Sequence, residues 1–160
     1  MRRAAGAQFF MLVLMGACAP PRGSAPHPPI PRTVRVDGGI VVLGEPLPSN
    51  LKRSPDGDSL IALRPEAGSA VARVIVRVDS GQRVIAITSD YQHLVSYDSL
   101  RAGYEKTFGP PERSRLVRRG EEPAETSIWR DAQSEMRLVH DPNRNAWTVR
   151  LILQGHATGH

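Results

Sequence analysis

From Ala72 to Val78 apolar and polar positions alternate: Ala72, Val74, Val76 and Val78 share one parity, with Arg73, Ile75 and Arg77 between them. A period of two marks a strand with one buried face. Asp79-Ser80-Gly81 supplies a turn, and Arg83 to Thr88 returns as a second strand, so this stretch predicts a β-hairpin. The period then changes. Tyr97, Leu100, Tyr104 and Phe108 fall on one face of a 3.6-residue repeat, Ser96 or Asp98 can cap its start, and Gly109-Pro110-Pro111 ends it. Gly103, inside this helix, is expected to let it approach a sheet closely.

Period two resumes towards the end of the chain. Arg113 to Arg118, Thr126 to Arg130, Ser134 to His140 and Ala146 to Leu153 read as strands, with turns at Asp131-Ala132 and Asp141-Pro142-Asn143. Upstream, Val34 to Leu43 reads as a short hairpin around Asp37-Gly38-Gly39, and Leu60 to Leu63 as a brief strand. Pro46, Pro48, Pro55 and Gly57 mark Glu45 to Asp58 as loop. The order hairpin, helix, meander predicts an α+β fold of two layers, one main helix packed on an antiparallel sheet. Leu100, Tyr104, Phe108, Trp129, Trp147 and the inward valines form its expected core.

The first residues follow another logic. Arg2 and Arg3 precede an apolar run from Phe9 to Met15, then Gly16, Ala17 and Cys18. A basic start, a short apolar run and small residues compose a secretory signal peptide. The run is shorter than the roughly 20 residues that span a bilayer. Met15-Gly16-Ala17-Cys18 resembles the bacterial lipobox, with Met15 in place of the usual Leu. That resemblance implies cleavage before Cys18, a diacylglycerol thioether on its sulfur and an acylated amino terminus. It also explains a lone cysteine in an exported chain, which has no internal partner for a disulfide. Six prolines between Pro20 and Pro31 read as an extended, semi-rigid tether. The expected organisation is therefore a signal peptide at 1–17, a lipid-proximal tether at 18–32, one domain at 33–155 and a flexible tail at 156–160. The implied location is the bacterial envelope outside the cytoplasm, on the periplasmic side of the outer membrane in a host with two membranes.

From Tyr97 to Leu153 the pattern resembles small envelope lipoproteins of the SmpA/BamE kind, in which a helix, a Leu-Gly-x-Pro junction and a β-meander follow one another. Phe108-Gly109-Pro110-Pro111 and "TSIWRD" at Thr126 to Asp131 carry the likeness. The resemblance implies a non-catalytic role, scaffolding or assisting an envelope protein.

The chain carries 19 arginines and two lysines and a formal net charge of +5. Arg73, Arg77, Arg115, Arg130, Arg137 and Arg150 lie in the strand segments and form a candidate face for anionic envelope components, lipid headgroups or lipopolysaccharide. The plainer expectation is a solvated face balanced by Glu105, Glu112 and Glu135. Nucleic acid is not an expected partner, because the leader takes the chain out of the cytoplasm and aromatic residues are only 5%. His27, His93, His140, His156 and His160 show no fixed ligand spacing beyond the i, i+4 pair in the tail, so no metal or other cofactor is expected. No Gly-x-Ser-x-Gly elbow occurs, and Glu121, Glu122 and Glu125 sit in a loop. A secreted hydrolase is the weakest of the three functional expectations.

Overall fold

The alternating segments all become strands, and so does part of the proline-punctuated stretch. The computed structural model describes residues 28–51, 54–55, 59–92, 95–116, 124–141 and 146–155. Its strands are β1 (Thr33–Val36), β2 (Gly39–Val42), β3 (Ser54–Pro55), β4 (Leu60–Leu63), β5 (Val71–Val78), β6 (Val84–Tyr91), β7 (Glu112–Leu116), β8 (Ala124–Arg130), β9 (Ser134–Asp141) and β10 (Ala146–Leu153). The helix α1 (Tyr97–Phe108) lies between β6 and β7. Strands β1 and β2 pair with each other, and the other eight form one antiparallel sheet in the order β3-β4-β5-β6-β10-β9-β8-β7.

This corrects the expected α+β fold with one main helix packed on the sheet. The protein is sheet-rich, with a single 12-residue helix against ten strands among the described residues. The helix meets the sheet through Tyr97, Tyr104 and Phe108. Tyr97 stacks on His140 of β9 at 4.8 Å, and Tyr104 meets Trp129 of β8 edge-on at 5.7 Å. Much of the remaining cover comes from the N-terminal chain, whose Val36, Val41, Leu43, Leu47 and Leu51 are buried in the core cluster. Val36, Val41 and Leu43 belong to the stretch read as a hairpin, whereas Leu47 and Leu51 fall between prolines without regular spacing and carry no helix or strand signature. They are buried nonetheless, because the exposed apolar face of a sheet must be covered. The coil is pinned to β6 and the turn before it by Gly44 N–H donating to Val84 O (2.8 Å) and Leu47 N–H to Gln82 O (3.1 Å). Gly44 sits at φ +90°, a conformation that side-chain-bearing residues rarely adopt.

The covered face of the sheet carries Val74, Val76, Ile87, Met136, Leu138 and Leu151, each nearly or wholly inaccessible. Two aspartates shape turns. Asp79 Oδ1 accepts from the Gly81 and Arg83 amides, and Asp131 Oδ1 accepts from those of Gln133 and Ser134. The other Asp131 oxygen accepts from Ile30 N–H at 2.8 Å. Ile30 is itself buried, so the last residues of the expected 18–32 tether belong to the fold. Residues 1–27 and the tail at 156–160, with the leader and Cys18, lie outside the described residues. No helix among the described residues is long and apolar enough to cross a membrane.

Ser96 is the helix cap: its Oγ accepts from Ser99 N–H at 3.1 Å. Ser96→Ala is expected to cost about 1 kcal/mol, read as a lowered midpoint in urea unfolding. Gly103 does not bring the helix against the sheet, since an added Cβ there would meet nothing within 4 Å. Gly103→Ala is therefore expected to stabilise the fold by about 1 kcal/mol, and the same urea titration checks it.

Candidate functional site

Strand register places the arginines together. One row across the sheet reads Ile75, Thr88, Arg150, Arg137, Ile128. A second reads Arg77, Ala86, Ile152, Glu135, Arg130, and a third Arg73, Asp90, Thr148, Val139, Thr126. Because side chains two apart on a strand share a face, Arg73, Arg77, Arg130, Arg137 and Arg150 all lie on the face opposite the core. Arg115 falls outside this set. It stands opposite Glu125, one residue out of step with Glu112 and Ser114, and its side chain lies outside the description.

The acids on this face are unevenly distributed. Glu135 has a side chain only 5% exposed and is held between two guanidinium groups. Arg130 Nε donates to one of its oxygens at 2.7 Å, and Arg137 Nε donates to the other. Burial opposes the ionisation of Glu135. The hydrogen bonds from Arg137 and Arg130 outweigh it and hold the carboxyl below its ordinary range. Arg130 also pairs with Glu112. On the third row Arg73 Nε donates to Asp90 at 3.0 Å, and Thr148 Oγ1 donates to the same carboxylate at 2.9 Å. Of the acids expected to balance the face, Glu105 instead serves Arg101 on the helix.

Arg77 and Arg150 have no carboxylate in ion-pair range among the described residues. Arg150 stands directly across from Arg137. Its Nε is buried without a hydrogen-bond partner. Burial lowers the pKa of Arg150, and the charges of Arg77 and Arg137 lower it further, against partial compensation from Glu135. Like charges paired across strands are destabilising. The face thus presents guanidinium forks whose donors match phosphate or carboxylate oxygens.

The other sequence candidates do not assemble. Cys18, His27, His93, His156, His160, Glu121 and Glu122 lie outside the described residues. His140 is stacked against Tyr97, and Glu125 lies 3.6 Å from Arg101. Among the described residues no three His, Cys, Asp or Glu side chains gather as a metal site would require. Sequence reasoning assigned Glu135 to a solvated balance and missed its buried place between two arginines. The signal was local: an acid at an outward strand position, two residues before Arg137. No protein-family model, curated protein or solved structure matches the chain.

Proposed function

We propose that this protein is a non-catalytic binding protein of the bacterial envelope. In this reading Cys18 carries the lipid anchor, and the arginine-bearing sheet face engages phosphate-bearing headgroups of an anionic leaflet or of lipopolysaccharide. The observation that carries the reading is Arg150, half-buried, opposed by Arg137 and without a carboxylate in ion-pair range among the described residues. Such an arrangement costs stability in the free protein and is relieved when an anion arrives.

The root of the tether adds support. Ile30 is bonded to Asp131, the neighbour of Arg130, so the chain leaves the domain at the rim of this face. The eleven residues from Cys18 to Pro28, read as a proline-rich tether, would span about 30 Å if extended. That length lets the face settle on the bilayer that holds the anchor. Acyl chains and a basic patch together make a two-signal attachment, and each surface Lys or Arg adds about 1 kcal/mol near an anionic leaflet.

The test uses the chain from Cys18 with Cys18→Ser, which removes the lipid and leaves the face. Flotation with phosphatidylglycerol-containing vesicles should capture it at low salt and release it as salt rises. Lipopolysaccharide micelles form a second arm that separates the two phosphate sources. Equal capture by purely zwitterionic vesicles, or capture indifferent to salt, would contradict the reading.

A second reading rests on β7, the last strand of the sheet order, whose outer edge has no strand beside it among the described residues. Such an edge can take a strand from an envelope protein partner, in keeping with the SmpA/BamE-like resemblance around Phe108 to Pro111. Crosslinking in intact membranes that captures one discrete protein through β7 would favour it over headgroup binding.

A further inference from the structure

The layer that covers the core face has two blocks, the N-terminal chain with β1 and the helix α1. Between them lies a cleft of about 240 Å³. Its floor is the sheet: Ser89 of β6, Met136 of β9, and Val149 and Leu151 of β10. Val34 of β1 and Tyr104 of α1 also line it, with Tyr91 at the end of β6. This cleft lies on the opposite side of the sheet from the arginine face and is independent of it.

Three features give it chemistry. Ser89 is only 6% exposed and contributes a hydroxyl-bearing side chain to the lining of the cleft. The Tyr104 hydroxyl has its pKa pushed up by burial and further by the nearby Tyr91, and both phenol rings line the cleft. At the mouth Arg35 and Glu66 face each other at 3.9 Å, 73% and 50% exposed. A pair that long and that solvated is worth little and exchanges readily for another carboxylate.

We propose that this cleft binds a single-ring aromatic acid. An apolar cavity of about 150 Å³ accepts benzene, so this volume holds one substituted ring. It is below the roughly 300 Å³ at which drug-sized ligand sites begin, which suits one ring better than a long acyl chain or a peptide. Tyr91, Tyr104 and the thioether of Met136 favour an aromatic body. Ser89 meets a polar substituent on the ring, and Arg35 takes the carboxylate at the mouth.

The probe is 4-hydroxyphenylacetate, titrated into the full mature chain and followed by NMR. Binding should give intermolecular contacts from the probe ring to Tyr104 and Met136 in the unmodified protein. Ser89→Ala should weaken binding about tenfold, and 4-methylphenol, lacking the carboxylate, should bind more weakly than the acid. Val34→Phe should fill the cleft and abolish binding while the arginine face still floats with anionic vesicles, which shows that the variant is folded. Contacts elsewhere on the surface, no contacts at millimolar probe, or undiminished binding to folded Val34→Phe overturns the proposal. Failure here leaves the headgroup reading untouched, because no residue is shared.

Discussion

Glu135→Gln is expected to destabilise the protein by about 3 kcal/mol, the scale for breaking a buried ion pair from one side. Its side chain is 5% exposed and neutralises Arg137 and Arg130, whose side chains are 16% and 41% exposed. Without it, Arg130, Arg137 and Arg150 would be crowded together with Glu112 alone among the described residues in ion-pair range of any of them, and Glu112 is bound to the more solvated Arg130. Most of the cost therefore falls on Arg137 and Arg150. In thermal unfolding the loss should read as a drop of about 10 °C.

The same carboxylate sets a pH dependence. The folded-state pKa of Glu135 lies below its ordinary value. Its contribution is complete above the unfolded carboxylate range, near pH 4.3, and is lost as pH falls through the depressed folded value. Asp131 acts in the same direction: burial opposes its ionisation, but bonds from Gln133, Ile30 and Ser134 overcome that. The protein should lose stability steeply on acidification below about pH 4, and Glu135→Gln should flatten part of that slope. A variant with unchanged midpoint and unchanged acid slope would mean that Glu135 is not the counter-charge of this face.

The second large effect concerns Arg77 and Arg150. Arg150→Met removes a like-charge pair and a buried N–H without a partner, and is expected to raise stability by about 1 kcal/mol. Combined with Arg77→Gln, it should weaken capture by anionic vesicles roughly thirtyfold, at about 1 kcal/mol for each charge. Arg101→Gln removes the same formal charge from the helix, where Arg101 is bonded to Glu105, and should change vesicle binding little. Higher stability with lower binding separates a face kept for a ligand from one kept for the fold. If the double variant binds as well as the parent, or if Arg101→Gln weakens binding equally, net charge and not this face drives association.

The β5–β6 hairpin, α1 and the strands β8 to β10 were legible because each depends on residues close in sequence. Alternation gave Val74, Val76 and Val78 one face, and Ser96 and Gly109 bounded the helix at both ends. The cover over the sheet was not legible. Leu47 and Leu51 lie among prolines without a period, and only the tertiary fold says that they join the buried core. The arginine face was half legible. Parity within each strand separated Arg73 and Arg77 from the valines, but whether Arg150 meets Arg137 or an acid depends on register between strands, which no local pattern encodes. Arg115 shows the limit, because a strand position alone does not tell which face it joins. The cleft was invisible for the same reason: its floor comes from β6, β9 and β10 and its walls from β1 and α1.

The central claim, that the arginine face lies against an anionic membrane, is tested most directly by paramagnetic relaxation from headgroup spin labels in phosphatidylglycerol-containing vesicles. Methyl groups report on both sides of the molecule. Ile75, Thr88 and Thr148 belong to the arginine face, and Ile40, 48% exposed, belongs to the hairpin beyond the core. The account predicts strong relaxation at Ile75, Thr88 and Thr148 and little at Ile40. Relaxation at Ile40 as strong as at the sheet face, or at none of them under conditions where the chain is bound, would contradict it.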